Sequence, residues 1–399
     1  MKKYLFIALA SLTVCGACSK KEQPADLSAL EAWVTDESLP VPIEFGVGDL
    51  CRIETKAEGN VTTMEDETFA FVATDNFASV TSATALYDAD SRYAVGGDEH
   101  LLMNGAHAKS VSDAVVFLSS SSSAVTRYYP MPGGAAPTHL NYSFYAYRTT
   151  KDGTEPALTM GGGGSLTTTI DFELNPANNN VDVLWAKSQA TARTYSAVTY
   201  NGFNAEYIRQ LKSHSEYETY KPSLNFSHSA SWIRFIIKAE TAEAETSFGK
   251  VVGDGDTQNL TISDIYISNV RTDVRFDVSD GTLSEVGFHS PADANTKYLI
   301  EGGVATKPTY AGVEYGSGAF VAPSDRTGDP YEISFTVTDK KGRSITRTGT
   351  LALPVGNEYL PNTFYKYTIV VKSYESLEIF TSLTPVSDYG SLLEGVIVG

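Results

Sequence analysis

The chain of 399 residues has only three cysteines, and the last of them is Cys51. Because no cysteine follows Cys51, disulfide bonds cannot hold the folded body together. The sequence also lacks a Gly-x-Ser-x-Gly elbow, a His-Glu-x-x-His motif and a Walker loop, and its six histidines are scattered. We therefore predict a protein that is not an enzyme, that needs no metal or cofactor, and that is stabilised by packed secondary structure.

Basic residues are few. Lys and Arg number 30 against 48 Asp and Glu, which gives a net charge of -18. Nucleic-acid binding requires clustered basic side chains, so this balance argues against a nucleic-acid partner. It also argues against electrostatic docking on anionic membranes. A hydrophobic fraction of 42% nevertheless indicates a folded chain, and the length allows two or three domains.

The N-terminus has the features of an export signal. Lys2 and Lys3 precede an apolar run that is shorter than the roughly 20 residues of a membrane-spanning helix. Small residues then lead to Cys18, a pattern similar to a bacterial lipoprotein signal. We predict a signal peptide over residues 1–18, with lipid (palmitate) attached at Cys18. We reject a redox role for Cys15-x-x-Cys18, because such a pair needs a folded setting.

Beyond the signal, the dominant pattern is the short alternating strand. A polar tether is predicted over residues 19–40, and the first strand over 41–47 has Ile43, Phe45 and Val47 on one face. Further strands are predicted at 68–74, 111–118, 141–148, 165–172, 181–186, 223–227, 231–239, 259–270, 331–339, 343–353, 363–372 and 377–384.

This spacing of strands predicts an all-β protein built from β-sandwiches. We place an N-terminal domain at residues 41–215 and a C-terminal domain at residues 216–399. The best helix candidate runs from Asn204 to Lys212 with Asn204 as its cap. It falls in one of two long polar stretches, 96–110 and 201–220, that we interpret as insertions.

The order of several segments resembles the fimbrillin-like lipoproteins of Bacteroides and related bacteria, which build the type V pilus. The matching segments are VPIEFGVGDLCRIETKAEG, LNYSFYAY, DVLWAKS, LNFSHSASWIRFIIK and LPNTFYKYTIVVKSYESLEI. The resemblance implies two tandem transthyretin-like β-sandwich domains. It also implies export as a lipoprotein to the outer membrane, followed by incorporation into a pilus on the cell surface.

The resemblance further implies assembly by strand exchange with other pilus subunits. A trypsin-like protease would cut after Arg52, the strand bearing Ile43, Phe45 and Val47 would leave, and a neighbour's strand would fill the groove. The apolar C-terminal tail is a candidate donor strand, with an ordinary last strand as the equal alternative. Its apolar residues are Leu392, Leu393, Val396, Ile397 and Val398.

Two other functions stay open. A surface lipoprotein that binds glycans would also be acidic and all-β, and it should show an exposed row of tyrosines or tryptophans. A hydrolase with an unrecognised site would show a cleft with paired carboxylates or a histidine-centred cluster. Trp185 and Trp232 lie within strand patterns and are predicted to pack in cores, and His228 is predicted to be a core or turn histidine.

Overall fold

The computed structural model describes residues 31–47, 67–111, 114–130, 140–152, 154–242, 245, 260–290, 295–339, 342–371, 377–378 and 385–386. Within these ranges strands dominate and the helices are short, which confirms the all-β class. No helix in the described ranges is long and apolar enough to cross a membrane.

The first part of the chain forms one large sheet. Its strands are β1 (Gly46–Val47), β2 (Thr68–Thr74), β3 (Leu101–Val111), β4 (Ala114–Leu118), β5 (Ala124–Val125), β6 (Ser143–Arg148), β8 (Leu184–Ser188), β11 (Ser223–Leu224) and β12 (Ser227–His228). They run in the order β11-β1-β4-β3-β2-β6-β8-β12, with β5 beside β4. Between these strands the chain contributes β7 (Thr169–Glu173), β9 (Arg193–Tyr195) and β10 (Val198–Tyr200).

Helical elements of the first part lie near its core. They are α1 (Ala32–Thr35), a 3-10 turn (Phe77–Ser79), α2 (Ala205–Ser213) and α3 (Tyr217–Tyr220). Helix α2 begins where the sequence predicts, because the side chain of Asn204 accepts a hydrogen bond from the N–H of Tyr207 at 2.8 Å. Its residues Tyr207, Ile208 and Leu211 are buried in the first core.

The last part of the chain contains two sheets that share one buried cluster. Its strands are β13 (Ser231–Ala239), β14 (Thr261–Ser268), β15 (Asp273–Asp277), β16 (Leu283–Gly287), β17 (Tyr298–Leu299), β18 (Val313–Val321), β19 (Ser324–Asp325), β20 (Glu332–Thr338), β21 (Ser344–Thr350), β22 (Glu358–Tyr359), β23 (Thr363–Val371), β24 (Leu377–Glu378) and β25 (Pro385–Val386). One sheet has the order β18-β13-β23-β24, with β25 also on β23, and the other has the order β17-β14-β20-β21. Alternate residues of β13, β14, β20 and β23 fill the cluster between them.

A third cluster joins the two parts. Strand β15 pairs with β16 on one side and with β7 on the other, so residues about 100 positions apart share a small sheet. The third cluster of buried apolar residues contains Val72 of β2, Ile170 of β7, Val274 of β15 and Trp232 of β13. The predicted domains at 41–215 and 216–399 are therefore in contact through a shared apolar layer, and the boundary itself stays a prediction.

Most predicted strands are present, with bounds that differ by a few residues. The clearest correction concerns residues 96–110, because Leu101–Val111 is the longest strand of the first sheet and pairs with both β2 and β4. It is not an insertion. The stretch 201–220 contains the predicted short helix, α2, and the apolar residues of α2 lie in the first core.

Candidate functional site

The most distinctive feature of the first sheet is the N-terminal segment, which we define as residues 31–47. Residues 48–66 separate this segment from β2 in the sequence, yet its strand, β1, lies inside the sheet. Strand β1 is between β11 and β4, pairing in parallel with β11 through Gly46 and Ser223, and antiparallel with β4 through Gly46 and Ala114. Of the predicted strand 41–47, only Gly46–Val47 is a regular strand, and it lies inside the sheet; Pro42 adds an isolated bridge to Tyr128.

Backbone hydrogen bonds fix the segment along its length. The N–H of Ile43 donates to the carbonyl of Arg127 at 2.8 Å, and the N–H of Tyr129 donates to the carbonyl of Val41 at 2.8 Å. The N–H of Gly46 donates to the carbonyl of Pro222 at 3.0 Å. Without the segment, these partners on its two sides would present open backbone groups, which are a template for another strand.

The side chains of the segment alternate as the sequence predicts. Val41, Ile43 and Phe45 are 0%, 4% and 5% exposed, whereas Glu44 points outward. Phe45 lies among three rings, with centroid distances of 4.8 Å to Phe144, 5.1 Å to Phe71 and 6.1 Å to Phe117. These are favourable separations for aromatic pairs, so Phe45 is the main apolar anchor of the segment. Val47, the third residue predicted on this face, belongs to β1 by its backbone, and its side chain lies outside what the structure describes.

The beginning of the segment is held by an arginine on helix α2. Nε of Arg209 donates to the carbonyl of Trp33 at 3.0 Å, and one terminal nitrogen donates to the carbonyls of Glu37 at 3.2 Å and Leu39 at 2.7 Å. Arg209 is 4% exposed. Residues 31–40, assigned by the sequence to the tether, therefore pack against the body, whereas residues 19–30 lie outside the described ranges.

A second buried arginine lies beside the segment. Arg127 is 0% exposed and its guanidinium donates to the carbonyl of Ala89 at 3.2 Å. It also lies 5.3 Å from the ring of Phe117 and 5.7 Å from that of Tyr87. Burial lowers the pKa of Arg127 and raises the pKa of Tyr87. The backbone that pairs with Ile43 is thus part of a tightly enclosed region.

Several predicted positions lie outside the described residues. These are the lipidation site Cys18, the processing site Arg52 and the tail residues Leu392, Leu393, Val396, Ile397 and Val398. The structure adds only that the chain approaches its end beside β23, where β25 pairs Val386 with Phe364.

His228 is confirmed as a core histidine. It is 1% exposed, and its Nδ1 lies 2.7 Å from Oδ1 of Asp182, which is 0% exposed. The pair is enclosed between β12 and the start of β8, away from the N-terminal segment. Its role is to satisfy a buried polar group at the junction of the two parts.

The aromatic residues give the glycan alternative little support. Trp232 is 1% exposed, and Trp185 is half-buried with its indole N–H bonded to the carbonyl of Val278 at 2.8 Å. Among the described aromatics, Tyr93 and Tyr310 are half-exposed, and they belong to separate loops. Tyr93 stacks on Tyr128 at 5.1 Å, which makes one pair and not a row.

Sequence reasoning did not identify Arg209, Arg127 or the place of Trp33. Arg209 contacts carbonyls about 170 positions earlier in the chain, and a carbonyl leaves no mark in a sequence. The only signal was Trp33 itself, a large apolar residue in a polar stretch. Its ring packs against the first core.

Comparison with known proteins gives structural matches alone, since no family model and no curated protein matches the sequence. A crystal structure described as a "putative cell adhesion protein" from Bacteroides uniformis matches with a TM-score of 0.45 and 13% identity, over 87% of this chain and 98% of that chain. One from Bacteroides ovatus, described in the same words, matches with a TM-score of 0.44 and 14% identity, over 90% and 99%. One from Parabacteroides distasonis has a TM-score of 0.38 and 13% identity, over 89% and 98%.

Proposed function

We propose that this protein is a cell-surface adhesion protein that acts as a pilus subunit, and that it assembles by exchange of its first strand. The observation that carries the proposal is the N-terminal segment, which enters the first sheet as β1 and whose apolar side chains fill the first core. In this account the subunit is exported with a lipid on Cys18, and a protease cuts after Arg52. Residues 41–47 then leave, and a strand from another subunit takes their place.

The energetics suit a strand that can be removed. Burial of Val41, Ile43 and Phe45 contributes roughly 1.5–3 kcal/mol each, or about 5–9 kcal/mol in all. Ordering the backbone of residues 41–47 costs about 1–2 kcal/mol per residue, or roughly 7–14 kcal/mol. The two terms nearly cancel, so retention depends on hydrogen bonds and on the covalent link to β2. Cutting that link makes departure feasible.

The vacated position would favour a replacement strand of similar character. It offers free backbone groups at residues 127–129 and 222–224 and an apolar cavity bounded by Phe71, Phe117 and Phe144. The C-terminal tail, with Leu392, Leu393 and Val396 to Val398, is the proposed donor. A cut after Arg52 would also remove Cys18 and Cys51, leaving assembled subunits without cysteine.

Limited trypsin digestion tests the proposal. We expect an early cut after Arg52, located by mass spectrometry, and polymers on native gels once the N-terminal fragment has left. Because trypsin also cuts after lysine, the substitution at Arg52 is made in a chain that carries Lys56→Gln as well. Lys56→Gln alone should change neither result, whereas Arg52→Gln added to it should abolish both. A wild-type chain that stays intact at Arg52 and monomeric would contradict strand exchange.

A further inference from the structure

We infer that Arg209 is a retention residue, which holds the N-terminal segment on the body and sets the rate at which the segment leaves. The inference deepens the proposed function and rests on it. It concerns the contacts of residues 31–39, which precede the inserted strand and are distinct from the apolar anchors at 41–45.

The guanidinium of Arg209 holds several backbone carbonyls of the segment at once. Its three hydrogen bonds go to the carbonyls of Trp33, Glu37 and Leu39, so one guanidinium fixes a seven-residue span. A guanidinium offers five donors in a rigid plane, and hydrogen bonds from a charged donor are stronger than neutral ones. Because backbone carbonyls are the acceptors, the contact is independent of the side chains in that span.

The neighbouring contacts to the segment come from the same helix, α2, and from the short helix α3 that follows it. Lys212, one turn after Arg209, lies 3.5 Å from the carboxylate of Glu31 and 5.8 Å from the ring centre of Trp33. The hydroxyl of Tyr217 on α3 donates to the carboxylate of Glu44 at 3.2 Å. Helices α2 and α3 thus contact the segment at its beginning and again at Glu44, next to Phe45.

Residues 31–39 have few contacts of their own that would order them apart from those to α2, the burial of Val34 and the packing of the Trp33 ring. Helix α1 has four residues and no side-chain cap, and an isolated helix of that length is unstable in water. Apart from Val34, the span from Glu31 to Ser38 is exposed or half-buried. The three hydrogen bonds from Arg209 therefore carry much of the attachment of this span, and they must be broken before the segment can leave.

The experiment measures release of the segment after a defined cut. Residues 53–59 of the exported chain are replaced by the recognition sequence of a specific protease. After cleavage, size-exclusion chromatography with mass spectrometry follows loss of the N-terminal fragment over time. The variants are Arg209→Gln, Arg209→Lys and, as a matched control, Arg275→Gln, which removes an exposed arginine paired with Asp171.

We expect Arg209→Gln to release the fragment at least about 30-fold faster than wild type, since it loses two or more charge-assisted hydrogen bonds. Arg209→Lys keeps the charge but not the planar set of donors, so its rate of fragment release should lie between those of wild type and Arg209→Gln. It serves as the test if the glutamine variant does not fold. Arg275→Gln should match wild type. Equal release from the Arg209 variants and the control, including no release from any of them, overturns the inference.

Polymer formation is recorded in the same samples and reports separately on the proposed function. If the Arg209 variants lose the fragment faster but no polymer forms in any sample, retention by Arg209 stands and strand exchange fails. If polymers form at equal rates with equal release, strand exchange stands and the retention role fails.

Discussion

Phe45→Ala should loosen the N-terminal segment while leaving the rest of the protein folded. Phe45 is 5% exposed and contacts Phe71, Phe117 and Phe144. Truncation of a buried phenylalanine costs about 3–5 kcal/mol. If the segment opens as a unit, this cost falls on the opening equilibrium, and the open population should rise by a factor of roughly 10² to 4 × 10³.

Hydrogen exchange with mass spectrometry measures this opening. In Phe45→Ala, amides of residues 41–47 should exchange faster by that factor, whereas residues 143–148 of β6 and 363–371 of β23 should keep their protection. Phe71→Ala is the matched control, because Phe71 belongs to the same ring cluster but lies on the seven-residue strand β2, which pairs along its length with β3 and β6. It should speed exchange across the whole first sheet. If Phe45→Ala also raises exchange throughout β2 and β6, the segment is an integral strand and the reasoning is refuted.

Three predictions concern stability and are checked by urea denaturation. Burial raises the pKa of Tyr359 to about 12, so between pH 10 and pH 12 the unfolded state loses a proton that the folded state keeps. The free energy of unfolding should therefore be constant below pH 10 and fall above it, by up to about 1.4 kcal/mol per pH unit for each such tyrosine. A free energy of unfolding that does not change from pH 10 to pH 12 would contradict this. Asn204→Ala should cost about 1 kcal/mol by removing the cap of α2, and Asn204→Ser should restore most of it. Gly281→Ala should cost more than about 1 kcal/mol, because Gly281 has a φ of +79° and a Cβ there would lie 2.6 Å from the ring of Trp185, whereas Gly162→Ala meets nothing within 4 Å and should be neutral.

The sequence predicted the strands whose side chains alternate clearly. Strand β13 has the predicted bounds, Ser231–Ala239, and the paired strands β20 and β21 lie within the predicted strands 331–339 and 343–353. The cap of α2 was predictable because Asn204 is followed by apolar residues at helical spacing. In these cases local pattern and tertiary environment agree.

Strand β3 was missed for a physical reason. It carries polar and small residues, including Asn104, Gly105 and His107, and it has a glycine at a φ of +69°. The register with β2 shifts between Phe71 and Val72, so the period-two pattern is broken in the middle of the strand. A bulged interior strand cannot be recognised by alternation.

The candidate site was only partly predictable. Burial of Ile43 and Phe45 follows from alternation and is observed. The clamp by Arg209 and the burial of Arg127 depend on contacts with backbone far away in the chain, which no local pattern encodes. Sequence therefore indicates which side chains fill the core, and the structure shows which distant residues contact the segment.

A reversible disulfide lock tests the central claim most directly. Gly46 and Ala114 are antiparallel partners, whose Cα separation of about 4.5–5.5 Å suits a disulfide, and a Cβ at Gly46 meets only the end of the Lys221 side chain at 3.3 Å. With Cys51 replaced by serine, Gly46→Cys with Ala114→Cys should keep the cut segment in place when oxidised and leave the protein monomeric. Addition of a reductant should then restore release and polymer formation. Polymers that form equally fast with the disulfide intact would contradict the claim that the first strand must leave.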